Sequence, residues 1–213
     1  MSFALVLAGG DSPDRQLLHG ASEAELVIAA DSGVKVARAH GLSIHLVVGD
    51  MDSVSNGDVA WAKAEGAEII RVPQDKDFTD LELALDRAAD AEVERILVMG
   101  VEGGRIDHEL GNWAVLCAPR DRLVEIATNG GTVTVLHGAL TNSVEIGGSA
   151  GDLVSILAKN GEASGVTTTG LRWPLHDATI LPTTSLGVSN EFAGDTATVS
   201  LTSGTLLVAR PSV

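Results

Sequence analysis

Through residue 128 the chain alternates short apolar runs with amphipathic stretches. Residues 3–8, 26–29, 45–48, 68–72, 95–99 and 123–127 form the runs. Between them, residues 34–40, 58–65, 80–89 and 107–117 repeat apolar positions at helical spacing, as in Leu81, Leu85 and Ala88, or Leu110, Trp113, Ala114 and Cys117. Strands alternating with helices predict a parallel α/β sheet, its crossovers right-handed and its two faces covered. From Asn129 the pattern changes to short Val/Thr/Ser/Leu segments broken by Gly, Asn and Pro. Residues 132–136, 143–146, 153–158, 165–168, 196–201 and 205–209 are the strand candidates there, with Asn129-Gly130-Gly131 and Ser203-Gly204 as turn signals. The expected organisation is a parallel-sheet α/β domain over residues 1–130, followed by an all-β domain, a small sandwich or barrel, over residues 131–213.

Composition narrows the chemistry. The chain has 213 residues, 45% of them hydrophobic, ample for a packed core without staples. Cys117, the only cysteine, excludes an intrachain disulfide and a thiolate metal cluster, and in its apolar stretch it reads as buried filler. The formal net charge of -15 repels polyanions, so nucleic acid is not an expected partner, whereas a cationic small molecule or a magnesium nucleotide would be tolerated. The first apolar run lacks a basic flank and stops at Gly9-Gly10, which predicts a strand rather than a signal peptide. No apolar stretch is long enough for a membrane span, and cytoplasmic residence is the default expectation.

Acidic residues collect where the predicted strands of the first domain end, the place where open α/β sheets bind ligands. Asp31 follows the second strand, Asp50 and Asp52 the third, and Asp77 and Asp80 the fourth. The fifth is followed by Gly103-Gly104-Arg105-Ile106-Asp107-His108. Carboxylates are the hard ligands that Mg²⁺ accepts, commonly together with substrate phosphates. If the third strand ran on through Asp50 and Asp52, both side chains would leave one face. The plainer reading is a solvated turn with Ser53 capping the next helix. Thr79 and Glu82 form a capping box that starts a helix and puts Asp80 in its first turn, where the helix dipole favours an acid. Lys76 and Arg105 are candidate phosphate contacts. The six histidines show no metal-ligand spacing. No Walker lysine motif is present, which excludes a P-loop kinase. Trp61 and Trp113 suit helix faces in a core, whereas Trp173 falls in a loop from which a flat ring could stack on an aromatic substrate.

In order, Ala30-Asp31-Ser32-Gly33, Val48-Gly49-Asp50-Met51-Asp52-Ser53, Asp77-Phe78-Thr79-Asp80-Leu81-Glu82, Gly104-Arg105-Ile106-Asp107-His108, Gly170-Leu171-Arg172-Trp173-Pro174-Leu175 and Val188-Ser189-Asn190 resemble the thiamine pyrophosphokinase family. The resemblance implies an α/β domain, a C-terminal β-sandwich that binds thiamine and dimerises, and a homodimer. It also implies transfer of the pyrophosphoryl group of ATP to the thiamine hydroxyl, with Mg²⁺ as cofactor and AMP as second product. By position it implies metal ligation by Asp50, Asp52 and Asp80, and catalytic or phosphate contacts from Asp31, Lys76, Asp77, Arg105 and Asp107. Substrate contacts fall on Thr169, Ser189 and Asn190, with Trp173 as the stacking aromatic that reaches the site of the partner subunit. Asp31 and Asp50 are candidate proton acceptors, and the sequence singles out no base. The chain departs from the family pattern at Ser32, His45 and Met51, where glycine, an acid and phenylalanine are usual. The alternatives are a pyrophosphokinase for another hydroxyalkyl heterocycle such as a hydroxymethylpterin, and a non-catalytic thiamine or nucleotide sensor.

Overall fold

The computed structural model describes residues 2–212 and divides the chain into two compact units. One comprises the residues up to Leu116 together with Ile126–Asn129; the other comprises Cys117–Glu125 and everything from Gly130.

The first unit follows the predicted alternation. Strands β1 (Phe3–Leu7), β2 (Leu26–Ala30), β3 (Leu46–Gly49), β4 (Glu68–Arg71) and β5 (Arg95–Met99) lie in the order β4-β3-β2-β1-β5, all four pairings parallel. The strand β6 (Leu123–Thr128) follows β5. Helices α1 (Gly33–His40), α2 (Asn56–Ala64), α3 (Asp80–Ala89) and α4 (Ile106–Leu116) occupy the crossovers. The central strand β1 is buried at all five residues, as a parallel strand covered on both faces should be. Phe3, Leu5 and Leu7 pack with Val34, Val36 and Ala37 of α1, while α3 lies against β1, β2 and β3 through buried Leu81, Ala84, Leu85 and Ala88. Because the chain steps outward from β1 to β4 and then returns to β5 beside β1, the strand order reverses at β1, a topological switch point.

Local signals account for the helix ends. Thr79 Oγ1 accepts the Glu82 N–H at 3.2 Å, as the capping box predicts, and α1 stops at Gly41 in the left-handed conformation, with φ 66°. The cap of α2 is Ser55, whose Oγ accepts from Asp58 N at 3.1 Å, and not Ser53. One helix face departs from expectation. Ile106 and Leu110 of α4 are 70% and 65% exposed and Ala114 is exposed too, while Leu116 is buried in the helix and Cys117 just beyond it. The helical period of α4 was legible, but half of the apolar stripe it creates is left uncovered in a single chain.

The second unit is antiparallel and strand-rich, ordered β7 (Gly131–His137), β13 (Ser203–Pro211), β9 (Leu153–Thr169), β12 (Thr196–Ser200) and β8 (Ser143–Gly147). Two short strands, β10 (Ala178–Ile180) and β11 (Asn190–Glu191), also pair with β9. The two strands expected at 153–158 and 165–168 are a single 17-residue strand. Its first half pairs with β13 and its last residues with β12, around a core that includes Ile156, Val166, Ile180, Phe192, Val199 and Leu206. Asn160, Gly161 and Gly165 all have positive φ, and there the chain bends from one set of partners to another instead of ending the strand.

Candidate active site

A crevice of about 580 Å³ opens beyond the carboxyl ends of the parallel strands. Gly9 and Gly10 line it after β1, Asp31 and Ser32 after β2, Asp50, Asp52 and Ser53 after β3, Lys76, Thr79 and Asp80 after β4, and Gly103, Gly104, Arg105, Asp107 and His108 after β5. Its volume suits a nucleotide-sized ligand. The loop after β1 rests on the loop after β5, with Gly10 N–H donating to Gly100 O at 2.8 Å. A Cβ on Gly10 would meet the Glu102 carbonyl at 2.1 Å, so glycine is required for this approach.

At the centre, carboxylate oxygens of Asp31, Asp50 and Asp80 lie within 4.8 Å of one another. Like charges at that spacing repel by about 3 kcal/mol per pair at an effective dielectric of about 20. Gly49 makes the convergence possible: its φ is +156°, and a Cβ there would stand 3.1 Å from Asp31 Cβ and 3.2 Å from Asp80 Cγ. Burial pushes the Asp31 pKa above the usual carboxylate range, and the charge of Asp80 adds to this. Burial raises Asp80 likewise, against the opposing pull of Lys76 and with a further push from Asp50 and Asp52. Lys76 Nζ stands 3.2 Å from Asp80 Oδ1 and 3.6 Å from Asp50 Oδ2. Asp31 Oδ1 is buried and, among the described residues, accepts no hydrogen bond.

Of the three acids expected to ligate metal, Asp50 and Asp80 converge with Asp31, while Asp52 lines the same crevice outside that group. The backbone explains the difference. The strand β3 ends at Gly49, and Met51, buried in the core, has φ 67°, so Asp50 and Asp52 do not leave one extended face. Asp52 remains on the crevice wall, accepting from Ser53 Oγ at 2.8 Å and Gln74 Nε2 at 3.2 Å. Asp77 is exposed and absent from the crevice lining: the Thr79 cap sets Lys76 and Asp80, four residues apart, toward the site and leaves Asp77 outside. Gln74 was not anticipated, and a lone glutamine in a Pro/Asp-rich loop offers no spacing signal.

Arg105 and Asp107 reach the crevice but meet each other first, Nε to Oδ1 at 3.1 Å with a second contact from the Nη2 atom. The guanidinium holds the Asp107 carboxyl down at about 2. Both side chains are exposed, so this pair contributes little to stability and can open to a phosphate.

In the second unit, Trp173 is 52% exposed, on a loop held rigidly from below. Buried Asn190 accepts the Trp173 N–H at 3.1 Å and donates to its carbonyl at 2.7 Å. Asn190, expected as a substrate contact, thus uses both amide atoms to fix the loop. Arg172 lies 4.7 Å from the Trp173 ring centroid and is anchored to Glu191 at 2.7 Å. Ser189, with φ 58°, donates its N–H to Ser155 Oγ at 3.0 Å, and Thr169 is exposed at the end of β9. Neither comes nearer to a ligand role through these contacts.

Comparison with known proteins agrees with the arrangement. The thiamin pyrophosphokinase catalytic-domain family model matches residues 17–128, and the vitamin B1 binding-domain model of the same enzymes matches residues 142–206. Thiamine pyrophosphokinase of Bacillus subtilis is 26% identical over 214 residues, covering 96% of each chain. Thiamine pyrophosphokinase 1 of Oryza sativa is 30% identical over 142 residues, a match spanning 63% of this chain and 54% of the relative. The solved structure of the Bacillus subtilis enzyme superposes with a TM-score of 0.83 at 25% identity, covering 100% of both chains. The pterin-directed and sensor alternatives find no support in these matches. Converging carboxylates at the strand ends, a fixed tryptophan loop in the strand-rich unit and two family matches spanning both units agree: this chain belongs to the thiamine pyrophosphokinase family.

Proposed function

We propose that the chain transfers the pyrophosphoryl group of ATP to the hydroxyl of thiamine, giving thiamine diphosphate and AMP. The observation that carries this reading is the convergence of Asp31, Asp50 and Asp80 in a crevice that also holds Lys76 and Arg105. Three carboxylates, two of which (Asp31 and Asp80) have a buried Oδ1 without a hydrogen-bond partner among the described residues, fit a divalent cation of the Mg²⁺ type. Asp31, Asp50 and Asp80 would hold it, with Asp52 beside them. When bound, such an ion neutralises charge on the phosphate oxygens. The chain's own residues position the reactants. Lys76 and Arg105 meet phosphate oxygens, Arg105 after leaving Asp107, and a crevice carboxylate takes the proton of the attacking hydroxyl. Phosphoryl-type transfer needs mainly such alignment and charge neutralisation.

The proposed assembly is a homodimer, in which Trp173 of each subunit stacks on the thiamine bound at its partner's crevice. The uncovered apolar face of α4 and the exposure of Trp173 support it. No helix of the described residues is long and apolar enough to cross a membrane. Buried, unpaired Cys117 supports placing the protein in the reducing cytoplasm. Release of AMP from ATP, thiamine and Mg²⁺ tests the reading directly. AMP should appear with thiamine and not with a hydroxymethylpterin; turnover with the pterin alone, or tight ATP binding without AMP at any Mg²⁺ concentration, overturns it.

A further inference from the structure

Lys76 occupies an unusual position for a residue that would contact phosphate. Its ammonium sits on two of the three carboxylates that converge in the crevice, Asp80 at 3.2 Å and Asp50 at 3.6 Å. The three side chains are only 15%, 14% and 22% exposed for Lys76, Asp50 and Asp80, so water screens the contacts weakly. The placement is built into the chain. Lys76 and Asp80 are four residues apart across the capped start of α3, and the Thr79 hydrogen bond at 3.2 Å fixes the turn between them. The carboxylate left without a cation is Asp31, whose buried Oδ1 accepts no hydrogen bond among the described residues.

A compact ammonium and a divalent ion cannot share the same two carboxylates without strong repulsion. One must yield, and only the lysine is on a tether. With a polyphosphate in the crevice, the displaced ammonium finds new anionic oxygens within reach of its flexible stem. Without one, it must give up both carboxylates with no phosphate in exchange.

We propose that Lys76 is a tethered stand-in for the divalent cation, released only when a nucleotide's phosphates can receive it, so that cation and nucleotide each promote the other's binding. Lys76 is then a positioning residue as well as a phosphate contact, and the coupling is reciprocal by linkage. This rests on the reading of the crevice as a site for a divalent ion and ATP.

The test is a Mn²⁺ titration followed by electron paramagnetic resonance, with and without α,β-methylene-ATP. Wild-type protein should bind Mn²⁺ about tenfold more tightly, or better, when the analogue is present. In Lys76→Gln, Mn²⁺ alone should bind about tenfold more tightly than to wild type, and the analogue should add less than it adds to wild type. Lys76→Arg, which keeps the charge, should keep the coupling. Equal Mn²⁺ affinity in wild-type protein with and without the analogue overturns the proposal without any variant. So does a Lys76→Gln protein whose nucleotide-free affinity is unchanged or weaker. If AMP is formed in the thiamine assay while either result holds, the proposed activity stands and only the role of Lys76 falls. If wild-type protein binds no Mn²⁺ even with the analogue, the metal reading of the crevice falls and this inference with it.

Discussion

Asp31 shows how much of this site is decided by single backbone conformations. Its φ of 42° and the 67° of Met51 lie in the left-handed region, which ordinary side chains avoid at a cost of about 1–2 kcal/mol. Between them, Gly49 holds φ +156°. The ends of β2 and β3 thus turn so that Asp31 and Asp50 converge with Asp80 at the start of α3. The arrangement is electrostatically strained, since burial and neighbouring charge both push Asp31 toward its neutral form. Asp31→Asn should therefore stabilise the protein in the presence of a chelator at neutral pH. It removes a repelled charge, and Asn tolerates positive φ well. A gain on the scale of about 1 kcal/mol would raise the melting temperature by about 2–4 °C in a chain of this length. The same substitution should abolish Mn²⁺ binding. A melting temperature lowered by several degrees would show that Asp31 holds structure, and would remove the strain argument for a cation there.

At the scale of elements, what could be read in advance was what local chemistry alone decides. The helix α3 was legible because its cap, first-turn acid and apolar positions at 81, 85 and 88 all agree. The strand β9 was misread as two because the residues that bend a strand are those that end one, and only tertiary pairing distinguishes the outcomes. The strand continuation that would send Asp50 and Asp52 from one face stops short of Met51, which carries no sequence sign of its left-handed turn, although both acids still line the crevice. Asn190 looked like a ligand contact because an exposed binding amide and a buried loop-fixing amide are the same residue in a sequence. The helix α4 leaves a question of its own, because Leu110 and Ala114 of its apolar stripe are exposed, and so is Ile106 one turn before them. If this face is the dimer contact, Leu110→Glu should halve the mass measured by light scattering at micromolar protein, and turnover should fall with it. An unchanged dimeric mass would place the contact elsewhere. A wild-type protein that is monomeric would dispose of the trans-acting Trp173.

For the whole molecule, two sets of groups set the pH response and act in opposite directions. Asp31 and Asp80 have raised pKa values, so their contribution to stability is full below the unfolded value near 3.8 and is lost as pH rises through the folded ones. His137, 4% exposed and hydrogen-bonded through Nδ1 to Thr205 Oγ1 at 3.2 Å, behaves in reverse. Burial lowers its pKa from the ordinary 6.5, the Ala118 carbonyl opposes this, and the charge of Arg120 reinforces it. As pH falls below about 6.5 an unfolded chain binds the histidine proton first, so stability rises with pH across that window. The contribution of His137 is complete above the unfolded value and disappears as pH falls through the folded one. His137→Asn keeps a polar atom near the Nδ1 position and removes the titration. Urea midpoints measured in chelator between pH 7.5 and 5 should therefore fall more steeply for wild-type protein than for the variant. Parallel curves would mean that the folded protein accommodates a protonated His137, and that its burial imposes no penalty on the charge.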